Sequence, residues 1–257
     1  MLLSIITVCY NARNIIEETI NSVISQTYSK IEYIVIDGNS KDSTQEIIGK
    51  YKNSIDYYVS EPDKGIYDAM NKGIKVAKGD YILFMNAGDK LYRDTIIAEW
   101  IKTIEHNNAE IYYGDVIYHY SYGDRYVKAL NLKRIVNMMV FSHQSVMVSA
   151  HLLKDSLFDT QYRYAADYNF LLRCYLKKIK FVYSPIPISV VEMEKGATAY
   201  NFRASKREVL SIHKSCGYSW CKRFLCFHQM MSIYYIHKTI KFFVPSKLVS
   251  IIQNRKR

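Results

Sequence analysis

An α/β fold with a mostly parallel sheet flanked by helices is predicted by three features of this 257-residue sequence. Short β-branched runs alternate with helical stretches through the N-terminal half. Polar residues recur just after those runs, and no internal repeat or low-complexity linker interrupts them.

Leu2–Val8 reads as a buried strand, Ile15–Ile24 as a helix and Ile31–Asp37 as a second strand. Ser43–Tyr51 reads as a helix whose start is marked by the cap cluster Asp42, Ser43 and Thr44. A strand at Ile55–Ser60, a helix at Tyr67–Ala77 and a strand at Tyr81–Met85 follow, the last running into Asn86-Ala87-Gly88-Asp89. Parallel strands put their carboxyl ends on one rim, where ligands of such sheets bind. Thr7, Tyr10, Asn11, Asp37, Gly38, Asn39, Glu61, Asp63, Asn86 and Asp89 all fall there.

Beyond Asp89 the period changes. Ile111–Tyr122 and Tyr126–Leu132 suggest a hairpin about a Gly123-Asp124 turn, and Gln144–Val148 a further strand. A helix through Tyr168–Leu176 precedes two short strands, Phe181–Tyr183 and Ile188–Val191, set around Pro185 and Pro187. A half of this kind usually supplies the site of a second substrate.

With 49% hydrophobic and 14% aromatic residues the chain is neither disordered nor collagen-like, and it is too long for a disulfide miniprotein. The five cysteines form no C-x-x-C pair, so no zinc site is legible and a reducing compartment is expected. The start lacks the features of a signal peptide, and no run of apolar residues reaches the ~18 needed for a membrane span. The net charge of +11 is unevenly placed. Residues 206–257 hold eleven Lys or Arg and one acid, Glu208, so residues 1–205 are nearly neutral.

Several chemistries fall away. No G-x-G occurs among the ten glycines, which removes the dinucleotide fingerprint and the kinase glycine loop. The P-loop, the G-x-S-x-G elbow and H-E-x-x-H are also missing. What remains is a set of acids and amides at strand ends, of the sort that holds a nucleotide through base, ribose and metal-bridged diphosphate.

Those remaining segments resemble family 2, GT-A-type glycosyltransferases, and most closely the branch that builds bacterial surface polysaccharides. The resemblance rests on Ser4–Asn11 (SIITVCYN), Ile36–Thr44 (IDGNSKDST), Ser60–Gly73 (SEPDKGIYDAMNKG) and Lys78–Asp89 (KGDYILFMNAGD). It continues through Ser142-His143-Gln144 and Ala165–Arg173 (AADYNFLLR), covering about 200 residues in order. It implies a GT-A fold with a Rossmann-like nucleotide-binding sheet. The expected organisation is a catalytic domain at 1–205, with donor half 1–110 and acceptor half 111–205, followed by basic amphipathic helices at 206–257.

By this resemblance, Thr7, Tyr10, Asn11 and Asp37 receive the base of a nucleotide-sugar donor, most naturally a UDP-sugar, and Asp63, Asn71 and Asn86 lie near it. A ring face and a carboxylate suit a planar ligand with donor and acceptor edges, although Asp37-Gly38-Asn39 also reads as an ordinary turn. Family members usually carry Asp-x-Asp-Asp where this chain has Asn86-Ala87-Gly88-Asp89. A carboxylate there would hold Mn²⁺ or Mg²⁺, which leaves Asp89 as the metal ligand. Asp167 fills the place of the general base that takes the proton of the acceptor hydroxyl in an inverting displacement; an Asp at a helix start is also an ordinary cap. His143 is a candidate contact to acceptor or diphosphate.

The basic end interleaves Lys222, Arg223, Lys238 and Lys241 with Trp220, Tyr234, Phe242 and Phe243 at helical intervals. Such a segment can lie on an anionic membrane surface, each basic residue contributing roughly 1 kcal/mol. A hairpin packed on the core would have the same pattern. The reading that unites these features is a transferase acting on a lipid-linked glycan, peripheral on the cytoplasmic face of the bacterial inner membrane. Two competing readings are a nucleic-acid-binding protein and a degenerate transferase serving as a membrane scaffold. The rim acids would repel a polyanion, so no nucleic acid partner is expected.

Overall fold

The computed structural model describes residues 1–104, 107–193, 201–228 and 231–232. Strands β1 (Leu3–Cys9), β2 (Ile31–Asp37), β3 (Tyr57–Ser60) and β4 (Tyr81–Phe84) alternate with helices α1 (Ile16–Ile24), α2 (Thr44–Lys50) and α3 (Ile66–Val76). After β4 come β5 (Lys90–Leu91), α4 (Ile96–Ile104), β6 (Ile111–Tyr120), β7 (Gly123–Val127), β8 (Val146–Ser149) and α5 (Ala150–Asp155). Helix α6 (Ala166–Leu176), β9 (Phe181–Glu192) and α7 (Phe202–Ser215) complete the set, and a further helical stretch occupies 220–228.

The described strands form one sheet in the order β3-β2-β1-β4-β8-β6-β9-β5, with β7 paired to β6. The first four are parallel, and β8 enters antiparallel between β4 and β6. Because successive side chains leave a strand on opposite faces, β1 feeds two cores. Ile6 and Val8 join Ile34, Ile36 and Phe84 against α3, α5 and α6. Leu3 and Ile5 join Val35 and Leu83 against α1 and α4. Both faces are covered, which is why β1 reads as a continuous apolar run.

Several boundaries differ from the sequence reading, each for a local reason. Helix α2 has no side-chain cap from Ser43; instead Asp42 accepts from the Thr44 N–H at 3.0 Å and from its hydroxyl. The hairpin turns at Ser121-Tyr122, and Gly123, in a left-handed conformation with φ of 123°, already pairs with Tyr120. Phe181–Glu192 is one strand rather than two, its register with β6 shifting around Asp115, opposite Pro187. Proline cannot donate to the ladder, so the pairing skips there without ending the strand. The expected strand at Gln144 begins only at Val146, because residues His143–Ser145 form a 3₁₀ turn. Strand β5 and helix α4 had no counterpart in the sequence reading. Helix α7 crosses residue 205, and its Val209 and Ile212 are buried in the core, so the folded body continues past that position.

Candidate active site

The carboxyl ends of β1 to β4 open onto two adjoining cavities. The first, about 870 Å³, lies over β1 and β2 and the start of α3, with Tyr10, Gly38, Asn39, Lys41, Asp63 and Arg163 on its walls. The second, about 450 Å³, lies between the end of β4, the 3₁₀ turn, the start of α6 and the end of β9. Asn86, Ala87, Ile15 and Ile66 line both, so the two spaces share a wall.

Within the first cavity the Tyr10 ring is 62% exposed, available as a stacking face. The β2 loop packs closely at Gly38, where a Cβ would have to displace the Asp63 carboxylate, 2.4 Å away. Asp63 in turn accepts the Gly65 N–H at 2.8 Å and opens α3. Lys41, Lys64 and Arg163 contribute the positive charge.

Three residues expected at the donor site are buried and hydrogen-bonded within the protein. Thr7 is fully buried, its hydroxyl 3.1 Å from the Tyr33 hydroxyl. Asp37 is fully buried and its carboxylate is taken by the Ser40 N–H at 3.0 Å, the Ser40 hydroxyl and the Ser60 hydroxyl at 2.5 Å. It locks the β2 loop that carries Gly38 and Asn39. Asn71 clamps a loop: its amide donates to the Phe158 carbonyl at 2.8 Å and its oxygen accepts the Phe158 N–H at 2.9 Å. Asn11, left-handed with φ of 48°, accepts the Lys41 N–H at 2.9 Å and so joins the β1 and β2 loops. These polar residues build the rim, while Tyr10, Gly38, Asn39 and Asp63 face the cavity.

The second cavity gathers His143 and Asp167 beside Asn86 of the shared wall. The Asn86 amide nitrogen lies 3.0 Å from His143 Nε2, and His143 Nδ1 stands 3.4 Å from Asp167 Oδ2. With the amide donating to Nε2, the imidazole proton resides on Nδ1, facing the carboxylate. Burial holds the His143 pKa below its ordinary value, against the pull of Asp167, so the ring is neutral at pH 7. The other oxygen of Asp167 accepts the Tyr67 hydroxyl at 2.8 Å and the Tyr168 N–H at 2.8 Å. Burial first and Asp167 second push the Tyr67 pKa well up, keeping it a donor. Oδ2 is therefore the carboxylate oxygen left to take a proton.

Asp89 is buried beside this group. Its oxygens accept from Gln144 Nε2 at 2.7 Å and from the Glu192 N–H at 3.3 Å, and burial lifts its pKa to about 7. No cluster of three or more metal-ligating side chains occurs among the described residues. The donor set nonetheless fits a hard cation that takes most of its shell from phosphate and water. Asn86 Oδ1 is buried without a hydrogen-bond partner, and the Asp89 carboxylate lines the same cavity. Gly88 has φ of 97° with Ile15 packed against the site of a Cβ. An L side chain there would be strained, so the glycine follows from the backbone.

Arg163 and Glu208 were not among the candidate site residues, and Gln144, noted beside His143, was not tied to Asp89. Glu208 carried one signal, as the lone acid of a basic segment.

The same fold occurs in Staphylococcus aureus TarS. Its 1–349 fragment in complex with UDP-GlcNAc has a TM-score of 0.68 at 17% identity, over 96% of this chain and 77% of that one. This chain spans 39% of the longer TarS chain. The mannosyltransferase PcManGT from Pyrobaculum calidifontis, in complex with GDP-Man and Mn²⁺, has a TM-score of 0.66 at 13% identity, over 98% and 84% of the two chains. In sequence, the chain is 30% identical over 177 residues to a PGL/p-HBAD biosynthesis glycosyltransferase of Mycobacterium bovis, covering 67% of this chain and 69% of the relative. Residues 4–178 match the family model of glycosyl transferase family 2, and the chain belongs to that family.

Proposed function

We propose that this glycosyltransferase moves a sugar from a UDP-linked donor to a hydroxyl of a lipid-linked glycan used in surface polysaccharide assembly, with inversion at the anomeric carbon. The observation that carries this reading is the placement of Asp167 Oδ2, with His143 against it, in the second cavity, one shared wall away from the first.

In this mechanism the nucleoside occupies the first cavity on Tyr10, with Lys41 and Arg163 toward the diphosphate. The acceptor hydroxyl enters the second cavity. Asp167 Oδ2 takes its proton as the oxygen bonds to the anomeric carbon, and the bond from that carbon to the diphosphate oxygen breaks, its electron pair leaving with UDP. Attack from the face opposite the leaving group inverts the centre. Tyr67 and the Tyr168 N–H fix the carboxylate, and neutral His143 orients it without competing for the proton. Asp89 and Asn86 would hold Mn²⁺ or Mg²⁺, which when bound neutralises charge on the departing diphosphate.

The acceptor side of the reading draws support from the C-terminal stretch. Trp220 and Leu225 are each 67% exposed and Phe224 is 47% exposed, beside Lys222 and Arg223. Amphipathic bulk next to basic charge suits peripheral attachment to an anionic leaflet on the cytoplasmic face. No described helix is long and apolar enough to cross a membrane. Lys238, Lys241, Tyr234, Phe242 and Phe243 of the expected amphipathic segment lie outside the described residues.

The test is a panel of UDP-sugars and GDP-mannose, read as thermal shift and nucleotide release with and without Mn²⁺. A UDP-sugar should give the largest shift and measurable UDP release. Equal, negligible shifts across the panel would sink the reading. Flotation with anionic liposomes, compared with a variant replacing Trp220, Phe224 and Leu225 by Ser, tests the membrane side; equal partitioning would remove it.

A further inference from the structure

The structure assigns to Glu208 a positioning role for the reaction: this acid of α7 holds the loop that leads into α6, the helix that places the general base in the second cavity. The assignment rests on the reading of Asp167 as that base. Glu208 sits in the first turns of α7 and reaches across to the chain just before α6. Its Oε1 accepts the Arg163 N–H at 2.9 Å and its Oε2 the Tyr164 N–H at 2.8 Å. These two consecutive amides immediately precede Ala165, the residue that caps α6, and Asp167 is the second residue of that helix.

The gripped segment borders both substrate spaces. Arg163 lines the first cavity and Tyr164 the second, so the held backbone runs between the two spaces at the entrance of the base's helix. Helix α6 receives no side-chain cap hydrogen bond at Ala165, and the loop's entry is held separately, by Asp159 accepting the Gln161 N–H at 3.1 Å. Helix α7 is itself seated firmly: Val209 and Ile212 are buried in the core, and His213 Nε2 lies 2.8 Å from the Tyr168 hydroxyl. A carboxylate suits the task because two oxygens can serve two successive N–H donors; an amide of the same shape keeps one acceptor and turns a second donor toward the other N–H. This also accounts for an acid in a segment that is otherwise basic.

The experiment uses the full chain with Glu208→Gln and Glu208→Ala beside Asp167→Asn. UDP or GDP release to water is followed with whichever of UDP-GlcNAc, UDP-glucose and GDP-mannose the parent protein hydrolyses fastest. Amide exchange over residues 160–170 is followed by mass spectrometry. Glu208→Gln should lower kcat about tenfold, the scale of a small displacement of a reacting group, with donor KM within threefold and faster exchange at residues 163–168. Unchanged kcat, or a fall in kcat that only follows the folded fraction, overturns the assignment. If Glu208→Ala does not fold, the isosteric Glu208→Gln carries the test. Normal turnover in Asp167→Asn would overturn the base assignment itself, whereas lost turnover there with normal turnover in Glu208→Gln overturns the positioning role alone.

Discussion

His143 Nδ1 stands 3.4 Å from Asp167 Oδ2 while its Nε2 lies 3.0 Å from the Asn86 amide nitrogen. One imidazole thus ties the end of β4 to the first turn of α6, across the wall where the two cavities meet. If its task is to orient the carboxylate, His143→Ala should lower kcat by roughly 10- to 100-fold, the cost of losing alignment at a reacting group. Nucleotide affinity should stay within about threefold, on the scale of one marginal contact. Calorimetric titration of UDP beside single-turnover release separates the two. A parallel loss of affinity would instead make His143 a diphosphate contact.

Asp167 gives a steeper expectation. Asp167→Asn removes the proposed proton acceptor and keeps the shape, so turnover should fall about 10²–10⁴-fold with donor binding retained. Tyr67→Phe removes one of the two donors to Oδ1, and the loss of a hydrogen bond to a charged group should cost kcat on the order of tenfold. If Asp167→Asn lost donor affinity as steeply as rate, the carboxylate would be structural.

How far the sequence alone revealed this site can be judged residue by residue. The parallel strands and their shared rim were legible, because β1, β2 and β4 are predominantly apolar runs of the kind a sheet covered on both faces buries. Asp167, His143 and Asn86 were legible as candidates from their strings, but not as neighbours, since they come from segments 57 and 24 residues apart in sequence. For Thr7, Asp37 and Asn71 the sequence left out a second task. A polar residue at a strand end serves either a ligand or the loop beside it, and only coordinates show whether Ser40, Ser60, Tyr33 or the Phe158 backbone has already taken it. Gly88 was legible as a departure from an acidic motif, but its left-handed φ of 97° was not. The turn at His143–Ser145 was hidden by the apolar run that follows it, and it is this turn that aims His143 and Gln144 at the end of β4.

Asp89 should make nucleotide binding depend jointly on cation and pH. Burial raises its pKa to about 7, so below that value a proton occupies the carboxylate and competes with a metal. Mn²⁺ should therefore tighten UDP binding strongly at pH 8 and weakly at pH 6, and chelation should suppress release of the sugar. Titrating UDP with and without Mn²⁺ at both pH values measures this. Asp89→Asn should abolish the cation's effect at each. Identical UDP affinity in Mn²⁺ and in chelator would remove the metal role.

The last expectation concerns acid and α7. His213 is fully buried; the Tyr168 hydroxyl donates to the Ile135 carbonyl at 2.9 Å and so accepts from His213 Nε2–H. Nδ1 is buried without a partner, and a second proton placed there would find no acceptor. Burial, reinforced by Lys222 and Arg223, accordingly lowers the His213 pKa to about 4 from 6.5. The unfolded chain binds this proton near pH 6.5 and the folded chain does not, so the group's contribution to stability is complete above pH 6.5 and falls as the pH drops toward 4. The loss is on the order of 3 kcal/mol once both forms are protonated. In thermal unfolding between pH 7.5 and 4.5, the parent protein should lose roughly 5–10 °C more than His213→Gln, which cannot take up the proton. Because α7 also carries Glu208, acid release of His213 from Tyr168 should be accompanied by faster amide exchange at Arg163 and Tyr164. Equal pH slopes in the two proteins would show that His213 does not govern the docking of this helix.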